Sequence, residues 1–345
     1  MYFAILWKHP QISLAEINLL DPKRYPSSKK GIVLFDIDRP ERLSLLWGSI
    51  KSGRVITEKE LQEELLDCKI IGVQEEAIGK HLKRTIGIRR FKLVKITHTD
   101  REIKEKWKEI INLDKGNFWI VDYFQNIWVY ESIDFDKPAR SMKMGMMPSK
   151  LAHVLINLAT KFADNKEEIL VRDPFVGSWT TSFLSNFMGY DTIGSDLQIK
   201  YAQENIDRWK STSFANNDKS MQLFIQDSTK KVSSDRWENY KKVCIASEWW
   251  LGPIVTKNTP SDMINGYQNQ VIEIYRNFLK NILESKIPGL EIAITIPWYI
   301  GHENNVEAQL KKVTEDLWYS FTTVSEVYQR EGQQVGRKIC MIQKK

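Results

Sequence analysis

From residue 169 onward the chain alternates short apolar runs with amphipathic stretches, and this alternation leaves few folds open to it. Apolar runs at 169–172, 192–194, 223–225, 243–246 and 292–296 read as strands. Helical patterns fall between them at 180–188 and 199–209. A longer one follows, in which Met263, Tyr267, Val271, Tyr275, Phe278 and Ile282 recur at helical spacing. Two closing runs, 324–328 and 339–342, read as further strands. Parallel neighbours need crossover connections, so the pattern implies an α/β domain with a mainly parallel, seven-stranded sheet and helices on both faces. Pro148-Ser149-Lys150 opens one more helix ahead of it, whose apolar side is Leu151, Val154, Leu155, Leu158 and Phe162. Residues 1–135 do not continue the alternation. They read as a separate α+β unit with a helix over 100–113, and Lys137-Pro138 marks the boundary to a second domain spanning 136–345.

A chain of 345 residues suits two such units. No apolar run approaches the length of a membrane helix, so no membrane partner is expected. The opening MYFAILWKHP lacks the basic start and cleavage site of a signal peptide and reads as a buried strand. Cys68, Cys244 and Cys340 lie far apart with no metal-ligand spacing. The expectation is therefore no metal, no disulfide framework and a reducing, cytoplasmic setting. The net charge of +6 favours an anionic partner weakly, but its distribution is more telling. Residues 80–95 (KHLKRTIGIRRFKLVK) hold seven Lys or Arg and no acid. Lys83, Arg84, Arg89 and Arg90 are either part of a solvated face or contacts to nucleic-acid phosphates.

The chemistry concentrates at the expected strand ends. Asp173-Pro174-Phe175-Val176-Gly177-Ser178 follows the first strand of the sheet, Gly194-Ser195-Asp196 the second and Gln226-Asp227-Ser228 the third. In open α/β sheets ligands bind beyond the carboxyl ends of the strands. Singly, each motif could be a plain turn or a helix cap. Together they place a glycine turn and two acids where a nucleoside could be held, Asp196 at its ribose and Asp227 at its adenine amine.

Residues 140–181, RSMKMGMMPSKLAHVLINLA followed by VRDPFVGSWTT, resemble the methyltransferase domain of the tRNA guanosine-10 N2-methyltransferase family. The segment from Ile5 to Glu16 is similar to that family's opening segment, and Tyr328-Gln329-Arg330 through Gly336-Arg337 to its closing hairpin. The resemblance implies a Rossmann-like class I methyltransferase domain behind a THUMP-like, tRNA-binding region, with S-adenosyl-L-methionine as cofactor. It assigns Lys150 and Ala152 to the cofactor-side helix, and Asp173, Phe175, Gly177 and Thr180 to the loop. Asp196 and Asp227 match the two later acids. The implied activity is methylation of the N2 amine of a tRNA guanosine. Amino-methylation of DNA uses the same catalytic motif and is the rival activity. An RNA-binding homologue impaired in catalysis is the rival from another class.

Methylating an exocyclic amine calls for a hydrogen-bond acceptor and an aromatic ring to stack on a flipped base. The family supplies both from Asp-Pro-Pro-Tyr after the fourth strand, where this chain has Ser247-Glu248-Trp249-Trp250-Leu251-Gly252-Pro253. Glu248 can serve as the acceptor and Trp250 as the ring, with Ser247 beside them. A buried aromatic turn with a capping glutamate fits the same residues. A second departure concerns tryptophan. Trp179 stands at the second glycine of the family's Gly-Ser-Gly-Thr, where an indole is expected to collide with the cofactor, and Trp7, Trp47 and Trp119 also stand where the family commonly has glycine. The chain has 12 Trp and only 17 Gly. Some genetic codes read UGA as glycine, and several of these tryptophans, Trp249 included, read as glycine in the native host. The alternative is a Trp-rich homologue that has lost activity.

Overall fold

The computed structural model describes residues 1–27, 29–85, 91–95, 107–114, 116–139, 147–231 and 236–345. It divides into two compact units, Met1–Asn126 and Ile127–Lys345.

The first unit runs β1 (Tyr2–Leu6), α1 (Pro10–Asn18), β2 (Lys23–Tyr25), β3 (Ile32–Asp36), β4 (Ser49–Thr57), α2 (Glu58–Glu64), β5 (Ile70–Val73), α3 (Glu76–Thr85), β6 (Lys92–Lys95), β7 (Trp107–Asp114) and β8 (Asn117–Phe124). Its strands form one mixed sheet in the order β2-β3-β1-β4-β8-β7-β5-β6. Side chains alternate across a strand, and β8 uses both faces. Phe118 and Ile120 join Leu61, Ile71 and Leu82, whereas Trp119 and Val121 join Phe3 and Ile5. Where α2 begins, Thr57 and Glu60 cap each other's backbone N–H groups reciprocally. Residues 107–114 are a strand, not the helix expected over 100–113; residues 100–106 lie outside the described residues. Ile110 and Ile111 are both buried, each in a core on a different face, and the register against β8 shifts between Ile110 and Asn112. A strand covered on both faces and bulged loses the alternation that would have marked it.

The second unit runs α4 (Ile127–Phe135), α5 (Ser149–Thr160), β9 (Ile169–Asp173), α6 (Thr180–Phe187), β10 (Asp191–Asp196), α7 (Lys200–Lys210), β11 (Met221–Ile225), β12 (Lys242–Glu248), α8 (Ser261–Glu284), β13 (Glu291–Tyr299), α9 (Val306–Asp316), β14 (Tyr319–Thr323) and β15 (Val335–Lys344). The seven strands lie in the order β11-β10-β9-β12-β13-β15-β14. Only β15 runs against its neighbours. This is a Rossmann-like α/β sheet with one antiparallel strand. Because α4 packs on α5 and α6, and Ser149 N donates to Asp134 Oδ1 at 3.1 Å, this unit starts ahead of Lys137-Pro138. The apolar side read for α5 is buried throughout, including Phe162 just past the helix end. Alternate residues of β12 serve opposite layers. Cys244 lies against Ala159 of α5, and Ile245 joins Tyr275, Phe278 and Leu279 of α8.

One strand differs from expectation. The run at 324–328 is not a strand; β14 occupies Tyr319–Thr323, and Tyr328 makes only an isolated bridge to Arg337. The Ser325 side chain accepts the N–H of Ile339 at 3.2 Å, so a side chain replaces the ladder at that point.

Candidate active site

The carboxyl edge of the parallel strands brings four acids from separate sequence motifs to one side of the sheet. Asp173 ends β9, Asp196 ends β10, Asp227 follows β11 and Glu248 ends β12. Adjacency in space follows from the parallel register, with Gly194 opposite Asp173 and Asp196 opposite Ile225.

The loop after β9 is fastened to β10 by its backbone. Val176 N donates to Ser195 O at 3.1 Å, and Gly177 N donates to Asp196 Oδ2 at 3.1 Å. Gln198 N donates to the other oxygen of Asp196, also at 3.1 Å. Each oxygen thus takes one N–H and keeps a lone pair. Gly194 has to be glycine, because a Cβ there would lie 2.6 Å from Val176 Cγ2. That close approach lets the loop fold down on the strand.

Asp173 is 3% exposed. It accepts Ser247 Oγ at 2.6 Å and Phe175 N at 3.2 Å. Burial pushes its carboxyl up to about 6, against the lowering effect of the Ser247 hydroxyl. Asp227 is shifted the other way. The Thr229 hydroxyl (2.6 Å), aided by the Thr229 N–H (2.9 Å), holds it below the usual carboxylate range. Both remaining loop residues turn to protein neighbours. Phe175 packs on Trp249, Tyr275 and Phe278, and Thr180 Oγ1 accepts from the buried Lys137 Nζ at 2.7 Å. Ala152 is fully buried in α5.

At the end of β12 the three expected residues separate. Ser247 is fully buried and reaches Asp173, not the open edge. The Glu248 carboxylate pairs with the Arg337 guanidinium, and its side chain is 11% exposed. Trp250 is 38% exposed, and the Tyr275 hydroxyl donates to its carbonyl. Trp249 turns inward, with its ring 4.5 Å from Tyr275 and 4.8 Å from Phe278.

Trp179 departs from expectation. Its φ of 74° is left-handed, as a glycine position would demand. Its indole, however, does not cross the open edge: it is 0% exposed and stacks on Phe183, which stacks in turn on Trp209. Trp179 Nε1 finds no hydrogen-bond acceptor there. Lys83 and Arg84 lie exposed in the last turn of α3, whereas Arg89 and Arg90 lie outside the described residues. Among the described residues no three His, Cys, Asp or Glu could together hold a metal ion, and no helix is long and apolar enough to cross a membrane.

Lys137 and Arg337 were not found by sequence reasoning. Lys137 reads as linker, and only its burial marks it out. Arg337 left a usable signal, one of two adjacent cations at the head of an apolar strand run, Gly336-Arg337-Lys338-Ile339-Cys340-Met341-Ile342.

No protein-family model and no curated protein matches this sequence. Among solved structures, TrmN from Thermus thermophilus is 15% identical with a TM-score of 0.44, covering 100% of this chain and 99% of its own. A possible methylase from Clostridium difficile 630 is 12% identical with a TM-score of 0.44, covering 100% and 98%. Magnesium protoporphyrin IX methyltransferase from Synechocystis PCC 6803, solved with bound SAH, is 13% identical with a TM-score of 0.37, covering 56% of this chain and 82% of its own. At such identities and scores, what those proteins bind or modify does not carry over; the fold assignment rests on this chain's own strand order.

Proposed function

We propose that this protein transfers a methyl group from S-adenosyl-L-methionine to the N2 amine of a tRNA guanosine, position 10 being the expected site. The observation that carries the reading is the row of acids at consecutive parallel strand ends, one of them beside an exposed aromatic ring. The donor set suits the cofactor. Asp196 keeps a lone pair on each oxygen for the ribose hydroxyls, Asp227 is an ionised acceptor for the adenine amine, and the buried indole of Trp179 leaves the edge clear. When bound, the cofactor would supply an electrophilic methyl group carried on a sulfonium. The chain's own part is placement. Trp250 offers a face on which a flipped base stacks, and Glu248 accepts an N–H of its amine, aiming the nitrogen lone pair along the line of transfer. Residues 1–135, a THUMP-like region in this reading, hold the tRNA, with Lys83, Arg84, Arg89 and Arg90 on its phosphates. Such an enzyme works in the cytoplasm.

A second reading has one observation in its favour. The left-handed backbone and orphaned indole N–H of Trp179 mark a strained loop, which suits an RNA-binding homologue impaired in transfer. One assay separates the two. Unmodified tRNA is incubated with labelled cofactor and either the chain as written or its Trp179→Gly form. Labelled N2-methylguanosine on nucleoside analysis is expected. Label in methyladenine or in duplex DNA overturns the substrate, and RNA binding without transfer by either form establishes the second reading.

A further inference from the structure

Glu248 does not stand alone at the end of β12, and its partner comes from two strands away. Glu248 is paired in register with Thr295 of β13, and Arg337 of β15 is paired with Pro297, so β13 lies between them. The Arg337 side chain is 3% exposed and reaches across that strand to the carboxylate. Its Nε donates to Glu248 Oε1, while its Nη2 is 3.5 Å from Oε2, at the limit of a hydrogen bond. Nη1 donates to Gln333 Oε1 at 3.1 Å. Reciprocal backbone bonds with Tyr328, 2.8 Å each way, pin the main chain of Arg337. The guanidinium is therefore held from two sides, and it grips one carboxylate oxygen firmly and the other weakly.

We infer that Arg337 is a positioning residue for methyl transfer, rigidifying Glu248 through Oε1 so that Oε2 faces the substrate amine. The inference rests on the proposed function. A buried glutamate with free torsions samples several rotamers, only some of which meet an amine stacked at Trp250. A fork-shaped guanidinium selects one, which an ammonium does less well. In the reaction the amine nitrogen forms a bond to the methyl carbon. The carbon–sulfur bond breaks with its electrons left on sulfur, and the nitrogen releases one proton to solvent. Arg337 touches none of these atoms. It acts by keeping an acceptor in line.

The test compares Arg337→Ala, Arg337→Lys, Gln333→Ala and Glu248→Ala in whichever form of the full chain turns over on tRNA. A misaligned catalytic group costs on the order of 100-fold, so kcat of Arg337→Ala should fall by about that factor. KM for the cofactor should stay within about twofold, because Glu248 does not hold the cofactor in this reading. Arg337→Lys should recover part of the loss, and added guanidinium ion should partly rescue Arg337→Ala alone. Gln333→Ala removes one support without removing the charge and should show a smaller fall in kcat; it serves if Arg337→Ala does not fold. A folded Arg337→Ala with unchanged kcat overturns the inference, as does a loss that neither Lys nor guanidinium restores. If Arg337→Ala does not fold, unchanged kcat in Gln333→Ala overturns it. An active Glu248→Ala protein would instead remove the proposed amine acceptor, which is a separate failure.

Discussion

At Trp179 and Trp318 the backbone is left-handed by similar angles, φ 74° and 64°, yet the first indole is wholly buried and the second is 77% exposed. Five described non-glycine residues have positive φ, and two of them are tryptophan, a residue that makes up only 12 of 345. Trp318 sits just past α9, where Leu317 N and Trp318 N close the last turn on Thr314 O and Glu315 O. That is the position where helices most often end on glycine. Trp179 stands directly before α6, in a turn closed by its N–H on Val176 O. The comparison separates two properties of a residue that are usually read together. The backbone at both sites asks for glycine, but only at Trp179 has the side chain become part of the packing. Trp119 supplies the contrast. It lies inside β8, is 1% exposed and stacks on Phe3, with no left-handed backbone. The left-handed backbone at 179 and 318 is one that glycine adopts without penalty, whereas the backbone at 119 makes no such demand.

Four measurements can break or sharpen this division. The largest effect is expected at Trp119→Gly. It deletes a packed aromatic and should cost about 3–5 kcal/mol in denaturant unfolding of the first unit. A neutral result would mean that packing around Trp119 is nominal and that glycine belongs there too.

The second measurement isolates a burden that the Trp179 loop carries and the Trp318 turn does not. Asp173 has its pKa raised by burial from 3.8 to about 6. A carboxyl that binds its proton more tightly when folded favours the native state at low pH, and that advantage is lost as pH rises from about 4 to about 6. The full span is worth about 3 kcal/mol. Asp173→Asn should remove this pH dependence, so its stability relative to the parent should rise from pH 4 to pH 7 in paired urea titrations. Parallel curves for the two proteins would show that Asp173 is not desolvated.

Trp318→Gly is the third. A left-handed L-residue costs roughly 1–2 kcal/mol that glycine does not, and an indole this exposed gives up little packing. The substitution should stabilise the second unit by about 1 kcal/mol, visible as a higher urea midpoint. Destabilisation would mean that the indole covers an apolar surface of its own.

Trp179→Gly should change stability least. Removing a buried aromatic forfeits about 3–5 kcal/mol, but relieving the backbone returns about 1–2 and freeing the orphaned indole N–H about 1–3. The midpoints of these ranges nearly cancel, so the net should be well below the loss at Trp119, and cofactor affinity measured by calorimetry should not fall. A loss as large as that at Trp119 would place Trp179 among ordinary core residues and remove the case for glycine there.

Much of the second unit was legible from sequence because its strands end on chemistry. Each apolar run in 169–296 became a strand, and each acid named at a run's end sits at the carboxyl edge. The parallel register needs nothing beyond right-handed crossovers to bring those ends together. The two misread segments fail in opposite ways. Residues 107–114 are covered on both faces and bulged, so a true strand lacks the alternation that would mark it, whereas 324–328 carry a strand-like pattern but give up a ladder bond to the Ser325 side chain.

The amino-acid order alone determined the alternating α/β unit, its order of acids and the presence of glycine-poor, tryptophan-bearing turns. Only the tertiary structure decided what those residues touch. It set Ser247 on Asp173, Arg337 on Glu248 and the Trp179 indole on Phe183 instead of across the edge. The physical reason is range. Periodicity and turn chemistry act over a few residues and are written locally. Partners 74 and 89 residues apart meet only because the sheet closes between them, and nothing in the local sequence of either records the other.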